Sequence, residues 1–349
     1  MSTSDQQPTD KSTAQADPNP TDPISGDRIP PALQSAPLAY ENPAFLNSAD
    51  GRLIRIVSEY LEPLARFRRE QIQDTVVFFG SARFRALDVA SAELELLANT
   101  GATQPAPAEE QPARPEEIES GEVSAQKLQL AKAAVEMAAY YEDARKLAGM
   151  MSKWAQSLPG RRHRFVVTSG GGPGIMEAAN RGAYEAGGKT IGLNIKLPFE
   201  QYPNPYITPE LNFDFHYFFM RKYWFAYLAK ALVVFPGGFG TLDEMFEVLT
   251  LAQTHKLAKK ITVVIYGSEY WKSVINLDVL AEKGAIAKAD LDLFQFADTP
   301  EEAFEILKKG LTENHLQSEY ERNLRQKWEA EGPAPSAQEI LGPDIAKTR

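Results

Sequence analysis

The 349-residue sequence contains no cysteine. That excludes disulfides, thiolate metal sites and thiol nucleophiles, and it fits a reducing compartment. The chain also lacks an apolar run near the roughly 18 residues of a membrane span, and no basic start leads into an apolar stretch. The expectation is a protein that is neither exported nor membrane-spanning and that works in the cytoplasm. Positive charge is scarce, since 37 Lys and Arg face 47 Asp and Glu for a net charge of −10. Such a field repels polyanions, and the short basic cluster Arg161, Arg162 and Arg164 offers little docking surface, so neither nucleic acid nor a membrane is expected as a partner. Histidine is rare as well. His163, His216, His255 and His315 are scattered without metal-ligand spacing, and no metal is expected. No G-x-S-x-G elbow makes any serine a nucleophile.

What is present is a globular composition, 43% hydrophobic, long enough for one large α/β domain with extensions. Ser2 to about Pro37 is rich in Ser, Thr, Pro, Asp and Gln and cannot offset the entropy of ordering, so residues 1–44 are taken as a disordered tail. Leu53, Ile56, Leu61 and Leu64 recur at near-helical spacing and predict a packing helix over 45–72. The main domain spans 73–313. It opens with the apolar run Thr75–Phe79, a buried strand feeding the turn Gly80-Ser81. Residues 98–121, dense in Pro, Ala and Glu, are expected to form an exposed insertion, followed by a long helix over 122–157.

From there strand and helix alternate. Strands are predicted at 164–168, 190–194, 212–215, 232–235, 261–265 and 293–296, with helices at 175–186, 218–229, 241–254, 270–280 and 300–311. This pattern implies a doubly wound, mostly parallel sheet, a modified Rossmann-like α/β fold with helical extensions, and a ligand outside the carboxyl ends of the strands. Residues 314–349 read as a surface helix and a loose tail. The two predicted packing helices carry more apolar surface than one sheet face can cover, which predicts a homo-oligomer.

Two glycine-rich turns fall at those carboxyl ends. The first, Thr168 to Glu177, contains Gly170, Gly171, Gly172 and Gly174 and leads from a strand into a helix whose opening amides suit an anion. It reads equally as a plain tight turn, and Ile175 replaces the third glycine of a dinucleotide fingerprint, which disfavours NAD. Gly187-Gly188-Lys189-Thr190 imitates the end of a phosphate loop but closes a helix and opens a strand, so it reads as a helix C-cap. The second turn, Pro236-Gly237-Gly238-Phe239-Gly240-Thr241-Leu242-Asp243-Glu244, offers glycines, helix amides and a hydroxyl, a cradle for one phosphate. Glu244 is open to two readings there, a functional carboxylate or the closing residue of a capping box begun by Thr241. Upstream, Arg221 and Lys222 interrupt an aromatic helix start. Cations so placed either snorkel to solvent or meet a ligand anion.

These turns, with Arg221-Lys222 ahead of the second, resemble the Lonely-guy family of nucleotide phosphoribohydrolases, long labelled lysine decarboxylases. The resemblance covers roughly Thr75 to Leu311, and the signature P-G-G-x-G-T-x-x-E is matched without a gap from Pro236 to Glu244. It implies release of free base and ribose 5-phosphate from a nucleoside 5′-monophosphate, with Arg221 and Glu244 as the catalytic pair and no cofactor. It further implies substrate contacts at Gly237, Gly238, Gly240, Thr241, Thr250 and Glu200, beside Gly80, Ser81, Gly171, Gly172 and Lys222 at the turns and the Arg-Lys pair. Two departures stand out. Phe218 and Phe219 occupy places where short members carry methionine and histidine, and the tail, insertion and long helix are additions. Longer bacterial relatives of this kind carry the label AMP nucleosidase, so an AMP-like nucleotide is the expected substrate. Two rival readings remain open: a nucleotide or molybdenum-cofactor carrier on the same fold, and a decarboxylase. The latter would need a pyridoxal-binding lysine, for which no lysine here has a suitable context.

Overall fold

The protein is described by a computed structural model covering residues 36–101, 115–197, 202–257 and 259–317, with the backbone alone for helical residues 100–101 and 115–124. The 1–35 part of the tail, the middle of the insertion (102–114) and the C-terminal segment from 318 lie outside the described residues. The chain divides into two compact units at Arg55/Ile56.

In the first unit, helix α1 (Pro43–Leu46) is capped by Asn42, whose Oδ1 accepts from the amides of Ala44 and Phe45. The predicted 45–72 helix is broken here. Ser48 Oγ donates to the Phe45 carbonyl (2.6 Å) and accepts from the Gly51 amide (3.2 Å), turning the chain before α2 (Arg52–Arg69) starts.

Among the described residues of the second unit, seven strands form one sheet: β1 (Thr75–Phe79), β2 (Val166–Ser169), β3 (Thr190–Ile195), β4 (Asn212–Phe215), β5 (Ala229–Val234), β6 (Thr262–Tyr266) and β7 (Phe294–Ala297). Their order is β4-β3-β2-β1-β5-β6-β7, and every neighbouring pair is parallel. Helices α3 (Leu87–Gly101), α4 (Pro115–Gln156), α5 (Ile175–Glu185), α6 (Phe218–Leu228), α7 (Phe239–Gln253), α8 (Ser268–Val274), α9 (Leu277–Glu282) and α10 (Pro300–Leu311) complete it.

The continuous apolar reading of β1 has its cause in this burial on both faces. Val76 and Phe78 join one core with Leu147, Met151 and Ile175 of α4 and α5, while Val77 and Phe79 join the other with Phe67, Trp224 and Met245 of α2, α6 and α7. The chain runs outward from β1 to β4 with α4 and α5 on one face, then returns through α6 to β5 and proceeds the other way with α7 on the opposite face. The winding therefore reverses between β1 and β5, the position at which doubly wound sheets form a ligand crevice at the strand carboxyl ends.

Several boundaries differ from expectation. The 98–121 stretch is helical at both described ends, since α3 runs to Gly101 and α4 starts at Pro115. The 270–280 helix is two, because Asn276 Oδ1 accepts from the Val279 amide and starts α9 afresh. Of the expected packing residues Ile56 and Leu64 face the core, joined by Tyr60 and Phe67, whereas Leu53 and Leu61 are exposed. Beyond α10, His315 is buried, its ring nitrogen 2.9 Å from the Lys260 carbonyl.

Helices α4 and α5 cross closely at Gly149 and Gly182. A Cβ on Gly182 would stand 1.9 Å from the Arg145 carbonyl oxygen, against 3.2 Å from Gly149 to the Gly182 oxygen. Gly182→Ala is expected to cost about 3 kcal/mol and Gly149→Ala about 1 kcal/mol or less, because backbone rather than a flexible side chain would have to yield. Urea denaturation midpoints measure both.

Candidate functional site

Three turns meet at the carboxyl ends of β1, β2 and β5, and the backbone of Ser81 joins them. Its amide donates to the Pro236 carbonyl (3.0 Å), and its carbonyl accepts from the Ile175 amide at the start of α5 (3.0 Å). Gly174 makes that approach feasible. It has φ +72°, and a side chain there would run into the Ser81 carbonyl. Gly80 packs against Ile175.

The first glycine turn is clamped by asparagines. Asn204 donates from its amide nitrogen to the Gly171 and Gly172 carbonyls (both 3.1 Å), and Asn180 Oδ1 accepts from Ser169 Oγ (2.6 Å). In the second turn a Cβ on Gly237 would collide with Thr241 Oγ1, so only glycine allows the buried Thr241 to fold back beneath it. Gly238 and Gly240 are exposed, with open space around them. Tyr270 of α8 donates to the Gly237 carbonyl (3.0 Å) and steadies the turn from outside the motif.

Helix α7 begins at Phe239 with Gly238 as its N-cap. Thr241 is thus already inside the helix, and the capping-box reading of Glu244 falls away. The Glu244 side chain is instead buried, the residue 7% exposed, and among the described residues no hydrogen bond or ion pair engages its carboxylate. Burial pushes its pKa up to about 7 against the opposing charges of Arg221 and then Lys222.

Arg221 enters from α6. Its Nε donates to the Leu193 carbonyl (2.8 Å), its guanidinium lies 5.0 Å from the Phe225 ring centroid, and Nη2 abuts Gly170 of the first turn. Burial lowers its pKa, and the charge of Glu244 works against that loss. Lys222 points elsewhere, to Asp243 (2.8 Å) and Glu247 (3.0 Å) of α7. Burial disfavours its charge, but these two hydrogen bonds prevail and hold its pKa above the ordinary lysine value.

The structure therefore gathers Gly80, Ser81, Gly171, Gly172, Arg221, Gly237, Gly238, Gly240, Thr241 and Glu244 around one crevice. Thr250 is not among them: it is exposed and, nine residues beyond Thr241, roughly 13 Å further along α7. Glu200 lies outside the described residues. Tyr270, Asn180 and Asn204 carry no motif, and only their partners across the fold reveal them. A cavity of about 940 Å³ lies at the opposite, amino edge of the sheet, lined by Lys259, Lys260, Thr262 and Lys309 and by none of the crevice residues. We place the site at the crevice, where the uncommitted carboxylate and the helix amides converge. No described helix is long and apolar enough to cross a membrane.

The fold is a doubly wound α/β sheet, and at its switch point glycine turns meet a half-buried Arg221 and a buried Glu244. The family model described as "Possible lysine decarboxylase" matches residues 176–307. Among curated proteins, the Arabidopsis thaliana cytokinin riboside 5′-monophosphate phosphoribohydrolase LOG3 is 28% identical over 150 residues, 42% of this chain and 67% of its own. The Oryza sativa subsp. japonica protein described as "Probable cytokinin riboside 5′-monophosphate phosphoribohydrolase LOGL3" is 27% identical over 154 residues, 41% of this chain and 68% of its own. Over this stretch, which includes the unbroken Pro236–Glu244 signature, the chain is similar to these phosphoribohydrolases. A solved molybdenum cofactor binding protein from the phototrophic bacterium Rippkaea orientalis is 20% identical, with 49% of this chain and 86% of that one covered and a TM-score of 0.34, too low to carry any argument.

The raised pKa of Glu244 links to stability. Between its ordinary value of 4.5 and about 7 the folded chain holds a proton that the unfolded chain has released, so raising the pH favours unfolding. Relative to Glu244→Gln, the wild type is expected to lose stability across that window, by about 3 kcal/mol at pH 8 and nothing at pH 4. Denaturation curves at both pH values check this.

Proposed function

We propose that the protein hydrolyses the N-glycosidic bond of an AMP-like nucleoside 5′-monophosphate. The observation that carries the reading is Glu244, a buried and uncommitted carboxylate held under the charge of Arg221 at a glycine-walled helix start. The phosphate binds at the amino end of α7, against the Thr241 hydroxyl and the amides of the second turn, where the helix dipole favours an anion. That anchors the ribose beside Glu244. As the base departs, positive charge grows on the ribosyl ring, and the carboxylate both stabilises it and takes a proton from the attacking water. The water oxygen bonds to the anomeric carbon, the carbon–nitrogen bond breaks, and the base leaves with a proton. Arg221 holds the substrate by a charge-assisted hydrogen bond and favours the ionised form of Glu244.

Two further parts of the reading are a homo-oligomeric state, supported by the exposed Leu130 of α4, and a cytoplasmic location, supported by the missing cysteines.

AMP incubated with the wild type is expected to yield adenine, detectable by chromatography. Glu244→Gln should lower kcat by about 10²–10⁴-fold, the usual worth of a general base. Unchanged release by both Glu244→Gln and Arg221→Ala would refute the assignment. AMP bound without any adenine appearing would make the protein a carrier.

The base must be ionised to work, so kcat/KM is expected to fall tenfold per pH unit below about 7 and to level off above it. The residual activity of Glu244→Gln should lack that limb. A flat wild-type profile between pH 5 and 8 would remove Glu244 from the role.

A further inference from the structure

The turn after β5 is held by its carbonyls. Pro236 accepts from the Ser81 amide (3.0 Å), Gly237 from the Tyr270 hydroxyl (3.0 Å) and Gly238 from the Leu242 amide (3.0 Å). The amides of the same turn are left open. Among the described residues, no hydrogen bond engages the N–H groups of Gly237, Gly238, Phe239, Gly240 or Thr241. A trans peptide is planar and its N–H points opposite to its C=O, so each held carbonyl also aims the amide of the next residue. Two of the three donors are backbone groups, and Tyr270 is the side chain among them. Its helix, α8, follows β6, which flanks β5 on the side away from β1. A Gly237 carbonyl turned toward Tyr270 therefore turns the Gly238 N–H toward the β1 side, where the Gly80-Ser81 turn lies. Helix α8 is itself firmly anchored. The Gly267 amide donates to the Ala297 carbonyl (2.9 Å), the Asp298 carboxylate accepts from the Ser268 amide (2.6 Å) and hydroxyl (2.8 Å), and Trp271 Nε1 donates to the Tyr266 carbonyl (3.0 Å). Burial pushes the pKa of the Tyr270 phenol up, so it keeps its proton and stays a donor.

The peptide between Gly237 and Gly238 needs such a hold. Gly238 has φ −95°, open space surrounds it, and reversing the peptide would carry φ to about +85°, a region that glycine enters freely and other residues avoid. The reversed peptide would present a carbonyl oxygen in place of an N–H. We propose that Tyr270 is a positioning residue that locks the Gly237–Gly238 peptide with its N–H facing the crevice, and that this lock sets the affinity for the substrate's phosphate group. This deepens the phosphoribohydrolase reading and rests on its placement of the phosphate. Tyr270 acts through the turn, with no part in the chemistry at Glu244. Its hydroxyl stabilises one of two peptide orientations, and a single hydrogen bond weights such an equilibrium by about tenfold.

The test compares the full-length wild type with Tyr270→Phe, which loses only the hydroxyl, and Tyr270→Leu, which loses the ring as well. Each is titrated calorimetrically with ribose 5-phosphate, assayed for adenine release from AMP and unfolded in urea. Both variants are expected to bind ribose 5-phosphate about tenfold more weakly and to show KM for AMP raised by the same factor with kcat kept. The urea midpoint should fall far more in Tyr270→Leu than in Tyr270→Phe, so that affinity follows the hydroxyl and stability follows the ring. Unchanged ribose 5-phosphate binding in Tyr270→Phe would overturn the proposal, as would a wild type that does not bind this ligand at all. A loss of kcat and affinity that grows with the loss of stability from Tyr270→Phe to Tyr270→Leu would overturn it too, by making Tyr270 part of the packing and nothing more. The two readings fail separately. Hydroxyl-dependent binding of ribose 5-phosphate with no adenine released sinks the hydrolase and leaves the lock standing, whereas adenine release with the same KM in wild type and Tyr270→Phe does the reverse.

Discussion

The site depends on one backbone residue bonded on both sides. Ser81 follows the central strand β1, gives its amide to the turn after β5 and its carbonyl to the helix after β2. Because the winding reverses between β1 and β5, the two glycine turns would otherwise belong to opposite halves of the sheet. Two hydrogen bonds hold the halves at a fixed separation. Glycine at 174 and 237 follows from that constraint, since a side chain at either place would occupy space already taken by Ser81 or Thr241.

The charges are assembled on this frame from separate helices. Arg221 arrives from α6 and Glu244 from α7, and among the described residues no direct ion pair joins them, so each stays available to a third party. Lys222 makes the arrangement rigid by pairing with the exposed flank of α7, which fixes the spacing of the two helices while Arg221 turns inward. Adjacent cations thus divide the work. One spends its charge on architecture, and the other keeps its charge in the cleft, where low polarisability makes it felt by Glu244.

Much of this was readable in the sequence because it follows local rules. The β1 run alternates between two buried faces and so had to be continuously apolar. The failures have local causes as well. Ser48 and Gly51 break a helix whose apolar spacing ran on unbroken, and Asn276 starts a new one inside a stretch read as single. The capping-box reading failed because α7 begins two residues earlier than Thr241, at glycines that suit a turn and a helix start alike. Nothing local could show that Lys222 meets Asp243 and Glu247, or that Tyr270 holds Gly237, because these pairings depend on how helices far apart in sequence settle against each other.

Glu59, on a helix ahead of the first strand, has a wider meaning. Its carboxylate accepts from the amides of His216 and Tyr217 just before α6, and its carbonyl accepts from Trp224 Nε1. The arginine-bearing helix is thereby tied to a segment more than a hundred residues upstream of the stretch that the family model matches. That stretch, 176–307, omits β1 and β2 from the middle of the sheet as well. The recognisable portion of the chain is not a folding unit, and a truncated version meant to retain this cleft has to begin upstream of Glu59.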